Sequence, residues 1–229
     1  MGKLEKFREN EGFRCLYQPP VSYADRTPFF MRGVWHERGF GNGRPITLEA
    51  GCGTGAFSLG LASMFPERNF IGMDIKGARI WHGAKRVESE GIPNLLFLRA
   101  RLEFCDRLFS EGEVDSIWIT FPDPNVKRSA ARRRLVHPSY LSVYSSFLRP
   151  DGVVSLKTDS DFLFRYALSV IARNSLRVVE RSDDVHSDPA LADSEAALLM
   201  TDYERRFVAE GRKIMFVSFS LDGKREFVE

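Results

Sequence analysis

The chain has 229 residues, of which 43% are hydrophobic and 28% charged, with a formal net charge of +2. That length allows one large domain with a sizeable core, and the near balance of charge names no partner by itself. No apolar run approaches a membrane span, the first residues carry no apolar leader, and the separated Cys15, Cys52 and Cys105 lack metal-ligand spacing, so the expectation is a cytoplasmic protein without membrane, metal or disulfide framework.

Residues 1–45 are punctuated by Pro19, Pro20, Pro28, Gly39, Gly41 and Gly43 and read as an irregular arm or cap, with residues 46–229 as the main domain. The aromatics Phe7, Phe13, Tyr17 and Tyr23 of this arm, interleaved with Lys6, Arg8, Arg14 and Arg26, are expected to pack onto the core. From residue 46 the pattern alternates. Strands are predicted over 46–50, 70–74, 95–98, 115–121, 153–158, 176–180 and 213–221. Helices are predicted over 56–65, 78–90 (closed by Gly91), 102–109, 138–148, 162–173 and 202–210. Arg149-Pro150-Asp151-Gly152 reads as a turn. Alternating strands and helices predict an α/β fold, a doubly wound, mostly parallel seven-stranded sheet covered on both faces.

Charge is unevenly spread. No acid lies between Pro124 and Pro150, and no Lys or Arg between Ser182 and Glu204, where Asp183, Asp184, Asp188, Asp193 and Glu195 accumulate. The acidic stretch 183–195 reads as a mobile loop. The histidines His36, His82, His137 and His186 form no cluster and read as surface or boundary residues.

Two segments carry the chemistry. In the first, Leu48-Glu49-Ala50-Gly51-Cys52-Gly53-Thr54-Gly55 joins the first predicted strand to a helix, and Asp74 ends the next strand, 23 residues after Gly51. Glycines let a ligand approach the main chain, and an acid at Asp74 can accept hydrogen bonds from both hydroxyls of a ribose. A dinucleotide site would place Gly-x-Gly-x-x-Gly here, to seat a pyrophosphate on the helix N-terminus. This loop is Gly-x-Gly-x-Gly, and Glu49 beside it would repel pyrophosphate but suits a cation. S-adenosylmethionine, with its sulfonium and ammonium, is such a ligand, and the loop resembles motif I of the class I methyltransferases that use it. An ordinary tight strand-to-helix turn is the bland alternative.

In the second segment, Phe121-Pro122-Asp123-Pro124 ends a predicted strand and is followed by Lys127, Arg128, Arg132, Arg133 and Arg134. A carboxylate at the carboxyl end of a strand lies where open α/β sheets bind ligands, and a cationic run beside it suggests a polyanionic partner. A solvated helix face would have the same composition.

Taken together, Phe40-Gly41-Asn42, Pro45-Ile46, Leu48-Glu49-Ala50-Gly51, Asn94-Leu95, Phe121-Pro122-Asp123-Pro124 with Lys127 and Arg132-Arg133-Arg134-Leu135, Lys157-Thr158-Asp159 and Thr201-Asp202-Tyr203-Glu204 resemble the bacterial tRNA (guanine-N7-)-methyltransferases from about residue 40 onward. The resemblance implies a Rossmann-like class I methyltransferase that moves a methyl group from S-adenosylmethionine to N7 of a guanosine in tRNA, as a monomer or homodimer. It implies that Glu49, Gly51, Gly53, Gly55, Asp74, Arg101 and Asp123 line the cofactor site, with Asp123 as the catalytic carboxylate. Lys127, Arg132, Arg133, Asp159, Thr201, Asp202, Tyr203 and Glu204 would hold the substrate.

Three departures stand out: Asn125-Val126 after the second proline of the signature, Ser129-Ala130 before the triple-basic run, and Arg101 where the family has an acid for the adenine amino group. Arg cannot accept that hydrogen bond, so Glu103 or a backbone carbonyl would have to. These departures keep two other readings in view, a class I methyltransferase with a different substrate and an RNA-binding relative without catalysis. Thr201 and Asp159 each have a plainer reading as helix N-caps, with Thr201 and Glu204 forming a capping box.

Overall fold

The structure, a computed structural model, describes residues 2–20, 22 and 27–229. Its centre is one eight-stranded sheet in the order β1-β4-β3-β2-β5-β6-β8-β7. These strands are β1 (Leu16–Tyr17), β2 (Ile46–Ala50), β3 (Asn69–Asp74), β4 (Leu95–Arg99), β5 (Val114–Thr120), β6 (Leu148–Thr158), β7 (Val178–Ser182) and β8 (Met215–Ser220). Only β8 runs against its neighbours, pairing antiparallel with β6 and β7. All five residues of β2 and all six of β8 are buried, which requires cover on both faces and takes their polar members, Thr47, Glu49, Ser218 and Ser220, inside with the apolar ones.

Seven strands match the expected set, and β1 is the addition. Two residues leave no period-two signal, yet they pair parallel with Phe97 and Leu98. The arm before residue 46 is also less irregular than expected. It holds helix α1 (Lys3–Asn10) and a helical turn over Trp35–Phe40. Its aromatics pack as expected: Tyr17 meets the ring of the buried Trp35 at 5.0 Å, and Phe13 lies against the core. Tyr23 and Arg26 lie outside the described residues.

Four further details differ from the pattern. Residues 102–109 form a 3-10 turn, Leu102–Phe104, followed by the short helix α4 (Cys105–Leu108). The turn at 149–152 lies inside β6 as a bulge, because Val114 pairs with Leu148 whereas Ser116 already pairs with Val153. Leu176 closes the preceding helix through its N–H to Ile171 O, so β7 starts only at Val178. The acidic segment is folded rather than a free loop: it carries a 3-10 turn at Pro189–Leu191 and helix α7 (Glu195–Leu198), and it buries Val185, Leu191 and Ala196.

From β2 the chain winds outward through β3 and β4, then returns to add β5 and β6 on the other side of β2. The winding therefore reverses between β2 and β5, and the carboxyl ends of those strands are where such a sheet opens to a ligand. Both chemistry-bearing segments lie there. Helix α2 (Ala56–Met64) follows β2, α3 (Gly77–Glu90) follows β3, α5 (Pro138–Ser145) precedes β6, and α6 (Asp161–Arg173) follows it. The last helix, α8 (Asp202–Ala209), leads into β8.

Candidate functional site

The loop between β2 and α2 turns back on the sheet through left-handed glycines, with φ of 81° at Gly51, 58° at Gly53 and 76° at Gly55. The N–H groups of Gly51 and Cys52 both reach Met73 O, at 2.8 and 2.9 Å, which pins the loop to the end of β3. At Gly55 a second constraint acts. A Cβ there would lie 2.5 Å from the buried ring of Phe97, so only glycine lets the loop settle onto the sheet.

Asp74 is fixed by the same loop. Its Oδ2 accepts the Gly53 N–H at 3.0 Å, and its Oδ1 accepts the Lys76 N–H at 2.8 Å. Glu49 lies deeper than the sequence suggests. It is 3% exposed, with Oε2 accepting from the Ser58 N–H at 3.0 Å and the Ser58 hydroxyl at 2.5 Å, and Oε1 accepting from the Thr120 hydroxyl at 2.7 Å. It supports the loop from beneath, bonded to Ser58 and Thr120, and does not line the cleft above the loop. Burial pushes its carboxyl up to about 7, with Asp74 adding to the rise and the Ser58 and Thr120 hydrogen bonds opposing it.

A cleft of about 440 Å³ opens over this loop. It brings together Gly51, Asp74, Arg101, Asp123 and Arg133 of the expected site, joined by Glu103, Phe121, Asn125 and Tyr140. Gly53, Gly55 and Glu49 stand behind the wall, and Lys127 and Arg132 lie on the exposed surface outside it. Arg101 donates to Glu103 at 2.9 Å, which places an acceptor beside the residue that departs from the family pattern. The lining is mixed in charge, with Asp74, Glu103 and Asp123 among Lys76, Arg79, Arg101 and Arg133, and its size, with Asp74 already fixed by backbone donors, fits a nucleoside that carries charges of both signs, such as S-adenosylmethionine.

The opposite wall is the corner after β5. Phe121 and Asn125 both have φ of 46°, a conformation that costs a bulky Phe more than an Asn. Asp123 lies between them, exposed, and its carboxylate accepts no hydrogen bond among the described residues. The corner is held from outside. The Asn125 side chain donates to Asp123 O at 3.0 Å, and Arg134 donates to Asn125 O at 3.2 and 3.1 Å. Arg134 is buried, with its guanidinium over Phe162 at 4.8 Å and Tyr166 at 4.3 Å. It is a clamp, not part of the cationic arm that the sequence suggests. Lys127, Arg128, Arg132 and Arg133 remain exposed, with no ion pair among the described residues.

The residues of the expected substrate wall divide. Thr201 caps α8, its Oγ1 accepting the Glu204 N–H at 3.2 Å. Asp202 and Tyr203 are exposed, and Asp202 pairs with Arg205 at 2.5 Å. Asp159 pairs with Arg212 at 2.9 Å, and the cap of α6 is Ser160, not Asp159. Glu204 does not turn back to complete a capping box. It is fully buried, 2.5 Å from Lys157 Nζ and 2.7 Å from His186 Nε2.

Lys157, equally buried, also donates to Leu199 O at 3.0 Å, and desolvation lowers its pKa against the pull of Glu204. This triad ties β6, the acidic segment and α8 together, and with it His186 ceases to be an ordinary surface histidine. The signal available in sequence was Lys157 itself, a cation inside an otherwise apolar strand that needs a buried counter-ion. His137 likewise has a task, capping α5 by accepting the Ser139 N–H.

Comparison with known proteins bears on the fold and the family. In solved structures, the chain is similar to the 16S rRNA methyltransferase KamB (TM-score 0.57, 18% identity, covering 77% of this chain and 87% of that one). It is also similar to geranyl diphosphate C-methyltransferase from Streptomyces coelicolor (TM-score 0.51, 18% identity, 81% and 76%). At such identity the likeness concerns the fold, and those two names show that one fold serves unlike acceptors.

Sequence relatives are more specific. The chain is 42% identical to the tRNA (guanine-N(7)-)-methyltransferase of Bacteroides thetaiotaomicron, over 96% of this chain and 85% of the relative. It is 43% identical to that of Porphyromonas gingivalis, over 92% and 86%. The family described as putative methyltransferase matches residues 43–217. The chain belongs to this methyltransferase family and, within it, to the tRNA (guanine-N(7)-)-methyltransferases.

Proposed function

We propose that the chain transfers a methyl group from S-adenosylmethionine to N7 of a guanosine in tRNA, with Asp123 as the carboxylate that serves the reacting base. The observation that carries this reading is the contrast at the mouth of the cleft: an exposed Asp123, unbonded among the described residues, on a stiff corner beside a cationic run that no acid of the described residues neutralises. Asp74 would hold the ribose of the methyl donor, with Gly51 at its side and Glu103 in reach of the adenine end. Glu49 would favour the donor's positive charge from below the loop.

When bound, the donor supplies an electrophilic methyl on a sulfonium. The N7 lone pair forms the new C–N bond as the S–C bond breaks, and N7 carries no proton, so no general base is needed. The protein's task is positioning at about 3 Å and exclusion of water. The product base is cationic, and Asp123 would stabilise that developing charge and accept from the N1–H and amino group. Lys127, Arg132 and Arg133 would contact phosphates, which orient RNA without reading its sequence. A cytoplasmic setting suits three buried free thiols at Cys15, Cys52 and Cys105.

Incubating the purified chain with tritiated S-adenosylmethionine and unmodified tRNA, then cleaving with borohydride and aniline, tests the assignment. Label in tRNA with strand scission at a guanosine is the expected result. Label without scission would place the methyl elsewhere, and no label would remove the activity.

A further inference from the structure

Helix α8 carries a ring whose exposure has no packing reason. Tyr203 is 69% exposed, and its hydroxyl makes no hydrogen bond among the described residues. Its one ring neighbour among the described residues is Phe207, one helical turn on, with centroids 5.8 Å apart at 65°. Phe207 in turn meets Phe121 at 6.0 Å, and Phe121 lines the cleft beside Asp123. A chain of three rings therefore runs from the wall of the methyl-donor cleft to solvent. Arg212 covers Phe207 at 4.7 Å and is held by Asp159 at 2.9 Å and Glu210 at 3.1 Å, which fixes the middle ring.

Burial does not account for the outer ring, and its polar neighbours are engaged away from it, Thr201 in capping α8 and Glu204 through Oε1 with Lys157 and His186. What remains presented is the exposed ring of Tyr203, with a cationic run, Lys127 to Arg133, on the corner that bounds the same cleft. An enzyme that acts on a base must take it out of its stack, and the bases next to the gap lose a stacking partner. A ring carried outward from the cleft wall restores one, and such stacking tolerates any base because every base has a π-face.

We infer that Tyr203, backed by Phe207, stacks on the nucleobase that flanks the target guanosine while the target occupies the cleft. The inference deepens the tRNA reading and rests on it. It assigns Tyr203 a ring-to-base contact next to the target, and gives Phe207 a task that the signature motifs leave open. The hydroxyl takes no part, so the contact requires an aromatic ring and nothing more.

The test uses the full chain, unmodified tRNA as probe and steady-state labelling, with donor binding measured separately by calorimetry. Tyr203→Ala should raise the KM for tRNA roughly 5- to 100-fold, the range for losing one stacked base. Donor affinity should stay unchanged, and Tyr203→Phe and Tyr203→Trp should regain most of the loss. Phe30→Ala, removing a ring of similar exposure (66%) in the N-terminal arm, should leave KM as it is. An unchanged KM in Tyr203→Ala, a Tyr203→Phe variant as impaired as the alanine, or a loss of donor affinity would each overturn the stacking role while wild-type labelling keeps the tRNA assignment. Absence of wild-type labelling would remove that assignment and the stacking role with it.

Discussion

The two walls of the cleft satisfy their acids in opposite ways. On the glycine-loop side, Asp74 accepts two backbone N–H groups and Glu49 accepts three hydrogen bonds from Ser58 and Thr120. On the corner side, Asp123 accepts none, and Lys127, Arg128, Arg132 and Arg133 have no acid to pair with among the described residues. One wall is finished by the fold, and the other is stiffened in its backbone but left open in its side chains. Preformed donors and acceptors suit a small ligand of constant shape, because ordering has already been paid for. Unpaired charges suit a large anionic partner that brings its own counter-charges and binds in a salt-dependent way.

The sharpest way to break this contrast is Asp123→Asn, which keeps the shape and removes the charge. We expect kcat to fall on the order of 100-fold or more, with the KM for tRNA changed far less. A variant with wild-type turnover would move the chemistry to another residue.

A smaller effect separates the walls by pH. The Glu49 carboxyl is pushed up to about 7 by burial, and a donor with two positive charges favours its ionised form. Donor affinity should therefore weaken by up to about tenfold for each pH unit below 7, and level off above it. Stability runs the other way. A carboxyl with a raised folded-state pKa contributes stability that is present below its ordinary value of 4.5 and is lost as pH rises through about 7. Glu49→Gln should flatten both profiles, as read by calorimetry and thermal unfolding across pH 5 to 8. A wild-type donor affinity that does not change over that range would show that Glu49 is not coupled to the cleft.

The same contrast explains what the sequence disclosed. The glycine loop, Asp74 and the Asp123 corner were legible because each is a short run in which one residue type is demanded by local geometry: positive φ, the end of a strand, a rigid proline pair. The seven longer strands were legible from their alternation with helices, whereas β1 was not, since two residues carry no period. Of the Lys157, Glu204 and His186 triad only the buried cation could be suspected from the sequence, not its partners, for a different reason. Its members lie on three segments far apart in the chain, and only the sheet brings them to 2.5 and 2.7 Å. Arg134 was misread because composition counts it with its exposed neighbours, and only packing over Phe162 and Tyr166 sets it apart.

The most direct test of the divided cleft compares Asp74→Asn with Asp123→Asn by calorimetry with S-adenosylmethionine. Removing the charge at Asp74 should weaken donor binding roughly 10-fold or more, the cost of a lost charge-assisted hydrogen bond. Asp123→Asn should bind the donor within about threefold of wild type and still fail to turn over. Equal losses of donor affinity in the two variants would contradict the account, since Asp123 would then belong to the donor's wall rather than to the RNA's.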